Sequence, residues 1–531
     1  MKTHPAIQAY EKHFFSLLLL ASLLSIIPIW IIPIAPLSDW SAHLAISSQI
    51  NYLMQGGSSQ FFYIDYSFLG YSFVHLLISS LTYFFPLEIS GKITLSLLYI
   101  LSPICWYKFF SSTDPSKKYL ATFGFLMSYS SFFYYGNINF LFSLGFSLLF
   151  LSYGLKIFEK QKQNLSLFIL FGFLAYLSHF YVFLLASFII AFLAIYKKFW
   201  LGEKIYLGLG GAIFVQMAVL AFLDVLTNNY IPRDSSYSDS LYVCSIEKYT
   251  QFSGSTFNVS GFFPKLIGSL LTTAAHYNPL GMFNTVFPFP NIILALIFLG
   301  LPASLFILLK HFKEGKPVRF YWQRAESFLK SNFHPAYLPL ITLLAIHFLL
   351  IPNCLTFICH IGDRALPFMY AFIFLSIKKD SKLILPLSIL FLILFALNLP
   401  YQAFIFSDSG ALQAGIIEKT AQYAKELPEN STLFVIPSNY TSVYSGKSSA
   451  PLPNPYYQSL ALYYNPKIYI AGIFGFQDTF IMRSREPLFD DMAHFGPIPG
   501  QDIGNVSECY EKIPKEFNYY ISQNMSLVKN S

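Results

Sequence analysis

The run from Phe14 to Ile34, FFSLLLLASLLSIIPIWIIPI, holds 21 residues without a charge, close to the ~20 apolar residues with which one helix crosses a bilayer core. Lys2 and Lys12 precede it in the manner of a signal peptide. Its length exceeds the ~7–15-residue apolar core of such a leader, and no clear small-x-small cleavage site follows. The expectation is a first membrane crossing. Similar runs recur at Tyr119–Tyr135, Ile205–Leu226, Asn291–Leu309 and Leu383–Leu399. They are apolar on every face, whereas an outer-membrane barrel shows alternating strands of about ten residues.

Composition agrees with this reading. The chain is 55% hydrophobic and 11% charged, against about 45–50% and about 25% in soluble domains. The net charge of +7 lies in short segments between apolar runs, with no Lys/Arg tract interleaved with aromatics, so nucleic acid is excluded as a partner. The five cysteines form no CxxC pair and show no metal-ligand spacing. Cys354 and Cys359 read either as thiols on an apolar segment or as a pair in an oxidising compartment.

Lys and Arg collect on the cytoplasmic side of membrane proteins, and one arrangement satisfies that bias. With the N-terminus cytoplasmic, eleven helices cross near 14–34, 91–108, 119–136, 138–155, 165–178, 180–196, 205–226, 287–310, 336–352, 356–377 and 383–399. Twenty basic residues then lie inside and five outside within residues 1–399. The apolar run Leu69–Phe85 must stay on the outer side, because a crossing there would reverse every later segment and export Lys117, Lys118, Lys197 and Lys198. The run 165–196 is too long for one crossing and reads as two short helices turning at Ser178–His179. The fold expected is an α-helical polytopic membrane domain, residues 1–399, with outer loops at 35–90 and 227–287. A C-terminal extracytoplasmic α/β domain, residues 400–531, follows, with a helix at Ala411–Glu426 and a strand at Thr432–Ile436. The chain is expected to be multi-pass in the inner or plasma membrane.

The loop 35–89 has no Lys or Arg, yet it carries Asp39, His43 and Asp65. Asp39 and His43 are four residues apart and share one face of a helix. Asp39 reads either as the cap of a short helix or as a carboxylate whose burial at membrane level raises its pKa and suits it to take a proton from a hydroxyl. A divalent metal is a possible ligand of Asp39, His43 and Asp65, but the pattern is too general to assign one, and no cofactor is expected. His179, at the mouth of two short helices, reads as a carbonyl-bound histidine or as a cavity residue. Asp363-Arg364 sits near the outer end of an apolar segment; the two pair with each other or with another helix, or Arg364 clamps a phosphate with its planar fork. Lys92 stands at the outer end of the second crossing beside Glu88. Gly136-Asn-Ile-Asn139 is a tight outer turn.

The order of these features resembles the GT-C superfamily of membrane glycosyltransferases, the group of the protein mannosyltransferases and lipid A aminoarabinose transferases. The resemblance covers residues 14–399 and rests on Ser38-Asp-Trp-Ser-Ala-His43 after the first crossing, Gly136-Asn-Ile-Asn-Phe140, Ser178-His179 and Asp363-Arg-Ala-Leu-Pro367. Trp40 stands where many relatives have a second acid, and Phe68-Leu-Gly-Tyr71 where many have Pro-Pro-Leu-Tyr. The resemblance implies transfer of a sugar from a polyprenyl-phosphate carrier to a glycan, lipid or protein acceptor at the outer face of the membrane. Asp39 is then the general base, Arg364 with Lys92 holds the departing lipid phosphate, and His43, Asp65 and His179 line the cavity. Two rival readings remain: an O-antigen polymerase or ligase working through the loop 227–287, and a lipid or solute transporter, for which the inverted repeats usual in transporters are not found.

The parity of the crossings is directly testable. Cysteines introduced singly at Ser38 and just after Tyr401 are expected to react with the same impermeant maleimide from the outer face of intact cells; labelling from opposite faces would break the arrangement.

Overall fold

The computed structural model describes residues 5–37, 39–64, 69–134, 136–158, 164–201, 331–350, 354–355, 358–359, 362–435, 460–470, 482–484, 519–521 and 527–529. The expected crossings 205–226 and 287–310, the loop 227–287 and Asp65 lie outside these. The described residues are mostly helical, and among them four helices are long and apolar enough to cross a membrane: Ala9–Ile31, Leu87–Thr113, Ile138–Ile157 and Ile384–Phe404.

Apolar side chains cover the outside of these helices as well as their contacts. Leu20, Leu23, Ile393 and Leu397 are each more than half exposed, while Ser22 and Ser25 are buried and return their hydroxyls to the helix backbone, Ser22 to the Leu18 carbonyl at 2.8 Å. A soluble helix shows the reverse pattern. Lipid is the solvent that such surfaces suit.

The first apolar run forms α1 (Pro5–Ser25) and α2 (Ile27–Ile31), with Pro28 at the start of the second piece. Tyr10 of α1 and Ser388 of the last long helix share a hydrogen bond of 2.8 Å, so the first and last crossings are neighbours. After α2 the chain turns into α3 (Trp40–Met54), a strand β1 (Phe62–Ile64) and α4 (Phe73–Leu81). With nine residues, α4 rises only ~13 Å, less than half a bilayer core, and it does not cross. The hydroxyl of Ser79 on α4 donates to the Ser47 carbonyl of α3 at 2.7 Å, so the two loop helices pack on each other.

Next comes α5 (Leu87–Thr113). The expected helix 119–136 is replaced by a 3-10 helix (Pro115–Thr122), α6 (Phe123–Ser128) and α7 (Ser131–Tyr134). The carboxylate of Asp114 accepts from the Ser116 backbone at 3.0 Å, which fixes the entry, and the Tyr129 hydroxyl donates to the Ser25 carbonyl, which holds the break between α6 and α7 against α1. One local side-chain bond and one to α1 thus override a continuous apolar pattern. Then follow α8 (Ile138–Phe158), α9 (Leu165–Ser178) and α10 (Phe180–Leu201). A Cβ at Gly154 would come 2.8 Å from Ile190, and one at Gly172 would come 3.0 Å from the Phe150 ring; small residues let these three helices approach closely. The turn expected at Ser178–His179 is where α9 gives way to α10.

Beyond α11 (Leu338–Leu350) the expected helix 356–377 starts late. A small antiparallel hairpin, β2 (Cys354–Leu355) with β3 (Ile358–Cys359), and a 3-10 turn (Gly362–Ala365) precede α12 (Leu366–Ser376), whose first turn holds Pro367. A proline at N1 or N2 needs no intrahelical donor there and marks the start of a helix. The last crossing and the helix at 411–426, read from sequence as separate, are one helix, α13 (Ile384–Glu426), of 43 residues and continuous through Pro400. At ~64 Å it is about twice as long as a bilayer core is thick. It ends beside a sheet in the order β5 (Tyr469–Ile470), β4 (Thr432–Val435), β7 (Tyr519–Ile521), β8 (Leu527–Lys529), parallel except for the last pair.

This tail returns to the first loop. Strand β6 (Met482–Ser484) pairs antiparallel with β1, Phe62 opposite Ser484. The Tyr469 ring lies 5.6 Å from Phe61 and 5.7 Å from Phe62, and the Gln49 amide donates to the Pro466 carbonyl at 3.0 Å.

One turn holds this loop to the bundle. Gly136, before α8, has φ +82, and a Cβ there would meet the backbone nitrogen of Asp39 at 2.8 Å. Both the positive φ and the contact require glycine. Gly136→Ala is expected to destabilise the protein by about 1–3 kcal/mol, read as a lower thermal unfolding midpoint in detergent; an unchanged midpoint would show that the turn is not seated on Asp39.

Candidate functional site

The break between α9 and α10 leaves polar groups inside the helix bundle. His179 sits there, 1% exposed; its backbone nitrogen still bonds the Ala175 carbonyl at 2.9 Å, and the Phe180 nitrogen donates to Gly70, next to α4, at 2.9 Å. The hydroxyl of Ser143 on α8 donates to the Ala175 carbonyl at 2.9 Å. These bonds fix the ring between three elements.

Arg364 reaches the same point from the 3-10 turn before α12. It is 5% exposed, and its Nη1 donates to His179 Nε2 and, at 3.4 Å, to the Tyr71 hydroxyl. The Tyr71 hydroxyl lies 2.9 Å from the same His179 nitrogen. A guanidinium can only donate, so Nε2 is the acceptor, the imidazole is neutral and its proton is on Nδ1. The Phe140 ring lies 5.7 Å from the guanidinium carbon, within reach of a cation–π attraction. Among the described residues no carboxylate pairs with this guanidinium, and Arg364 Nε, His179 Nδ1 and Asn139 Nδ2 are buried without a hydrogen-bond partner. Three donors therefore stand unused around a buried positive charge. The side chain of Asp363 lies outside the described residues.

A second polar chain leads toward Asp39. His75 Nδ1 lies 3.1 Å from the Tyr71 carbonyl, which can only accept, so His75 donates there and its Nε2 accepts from His43 Nδ1 at 2.9 Å. Burial lowers the His43 pKa to about 4, partly offset by the Gly136 backbone. The His75 pKa falls well below its ordinary value, through burial first and then through His43. His43 occupies the first turn of α3, where its backbone nitrogen bonds the Asp39 carbonyl at 3.1 Å. Asp39 is half-buried at the N-cap position and makes no side-chain cap bond. The cap reading therefore describes its position, not a bond.

Asp39, His43, His179 and Arg364, far apart in sequence, thus belong to one connected region: Asp39 meets Gly136, Asn139 Oδ1 accepts from the Val74 nitrogen at 3.3 Å, and Phe140 lies under Arg364. Lys92 stands elsewhere, its ammonium 5.5 Å from the centroid of the Trp30 ring. Sequence reading passed over Tyr71, His75 and Asn139 as functional groups. The available signal was Tyr71 and His75 at i,i+4 in an apolar segment, which puts both on one face of a helical turn. Tyr181 and His347, 2.5 Å apart, were also missed; they join α10 to α11.

What the site offers chemically is a carboxylate at a loop turn, a neutral histidine pair behind it, and a buried cation with spare donors suited to an anion. Comparison with protein-family models, curated proteins and solved structures finds no match to this chain.

The histidine pair sets a pH dependence. Unfolded, His43 takes up a proton near its ordinary pKa of ~6.5; folded, it refuses one down to about 4. The unfolded chain therefore binds more protons in that window, and stability falls as pH drops from about 6.5 toward 4. His43→Gln is expected to flatten the fall in unfolding midpoint over that range. An equally steep profile in this variant would place the pH-sensitive group elsewhere.

Proposed function

We propose that this chain is a membrane glycosyltransferase that moves a sugar from a polyprenyl-phosphate carrier to a glycan, lipid or protein acceptor at the outer face of the membrane. The observation that carries this reading is Arg364, buried and unneutralised by any described carboxylate. Burying an unpaired ion costs several kcal/mol, and a lipid phosphate would offset that cost through the unused N–H groups of Arg364 and His179. Charge-assisted bonds from a planar fork suit phosphate oxygens.

In this mechanism Asp39 takes the proton of the acceptor hydroxyl as its oxygen attacks the anomeric carbon. The bond from that carbon to the phosphate oxygen breaks, its electron pair stays on the phosphate, and Arg364 stabilises the charge that develops there. The neutral Nδ1–H of His179 donates to phosphate or sugar. Tyr71 holds both Arg364 and His179 in register. His43 and His75 tie the Asp39 turn to Tyr71. The reading includes the eleven-crossing arrangement with a cytoplasmic N-terminus and an outer tail, and assigns Asp65 to the cavity lining. Lys92, turned to Trp30, has a secondary part at the membrane surface.

Asp39→Asn is expected to abolish transfer in a lipid-linked sugar assay while membrane insertion and expression stay normal; transfer at the wild-type rate would remove Asp39 from the mechanism. Arg364→Ala is expected to raise KM for the lipid donor far more than for the acceptor, with Arg364→Lys in between. A donor KM that does not move would make Arg364 a structural residue.

A further inference from the structure

A cleft of about 480 Å³ opens between the far ends of the loop helices and the tail. Its floor is the last turns of α3, with Ser48, Asn51, Tyr52 and Gln55. One wall is the turn after α4, including Tyr83, and the other is the tail segment holding Tyr463 and Pro466. The volume falls within the range of small-ligand sites, ~300–1,000 Å³. None of the described residues that line it is charged.

We infer that this cleft binds the acceptor and that the acceptor is an uncharged oligosaccharide; the inference rests on the glycosyltransferase reading above. Three features point to this ligand. Gln55 Nε2 donates to Asn51 Oδ1 at 3.2 Å, an i,i+4 amide ladder on an exposed helix face. That bond leaves the Asn51 NH₂ and the Gln55 carbonyl free, one donor group and one acceptor that match vicinal hydroxyls. Tyr83, half exposed, and Tyr463 add rings whose faces suit the C–H faces of a pyranose. Third, no cation among the described lining residues offers a partner to the phosphate end of the donor, which Arg364 suits. An acidic glycan is disfavoured separately, by the charge of Glu88 next to the lining residue Leu87.

Helix α3 relates the two sites. Asp39 is at its N-cap and Asn51 lies twelve residues on, ~18 Å along the axis. One sugar does not span that distance; a chain of several does, with its reacting end at Asp39 and its body held by the amide ladder. Because Tyr463 and Pro466 come from the tail, the tail is part of the acceptor site.

The test uses the full chain in lipid nanodiscs and measures binding of neutral hexose tetrasaccharides, with uronate-containing tetrasaccharides of equal length as charged counterparts, by saturation-transfer NMR. The neutral set is expected to bind and the uronates to bind at least fivefold more weakly. The double variant Asn51→Ala/Gln55→Ala is expected to raise Kd at least fivefold, Tyr83→Ala likewise, and Tyr83→Phe to restore binding. Equal binding by the double variant, equal binding of uronates, or quenching of a Tyr83→Trp reporter by brominated lipid, which would make the bilayer the occupant, overturns the proposal. In the transfer assay the double variant is expected to raise acceptor KM alone. An unchanged acceptor KM sinks the cleft while leaving Asp39 and Arg364 in place. Saccharide binding at the cleft with transfer unaffected by both Asp39→Asn and Arg364→Ala sinks the catalytic reading instead and leaves the cleft as a saccharide site.

Discussion

A guanidinium removed from water governs how the centre of this protein is built. Around Arg364, 5% exposed, the chain must supply acceptors and π-density where a helix bundle offers few. His179 supplies a lone pair because α9 ends one residue before it, Tyr71 adds a hydroxyl from the segment before α4, and Phe140 puts a ring beside the cation. These partners come from three separate segments, so the cation draws the loop, α8 and the α9–α10 junction to its own 3-10 turn. The donors left over after that, on Arg364, His179 and Asn139, are buried without a partner among the described residues.

The outer loop is held by a second set of contacts that run from this point to Asp39. Histidines 43 and 75 face each other in a medium that keeps both neutral, so they act as a directional hydrogen-bonded strut and not as a charge pair. At the other end the strut meets the Gly136 turn, where a side chain larger than hydrogen would strike the Asp39 backbone. The Asp39 backbone is thereby seated against the turn that leads into α8.

The continuous α13 gives the tail its leverage. A helix that continues without a break past the candidate span Ile384–Phe404 carries the sheet beyond that span, and the pairing of β6 with β1 and the ring contacts of Tyr469 bring the tail back over the loop. Membrane domain and tail are joined both by a stiff rod and by a docked edge, so the cleft between them has defined walls.

How much of this was legible follows from the range of the forces involved. Apolar runs such as Phe14–Ile34 and the two short helices meeting at Ser178–His179 can be read from sequence, because crossing length and the exclusion of charge are local properties of a segment. Leu69–Phe85 was held out of the membrane by charge bias alone, and the nine-residue α4 agrees. The apolar pattern misled where a long-range bond intervenes: 119–136 breaks where Tyr129 bonds Ser25, and nothing in residues 383–426 announced that Pro400 lies inside one helix. Asp39, His43, His179 and Arg364 stood out singly as polar residues in apolar surroundings, and their chemical type suggested what each could do. Sequence thus determined that this is a helical membrane protein with a few polar groups retained at a cost. Only tertiary structure decided that Arg364 meets His179 and Tyr71, that His75 bridges to His43, and that Lys92 turns away to Trp30, because hydrogen bonds and cation–π contacts act over a few ångströms between residues up to about 300 positions apart.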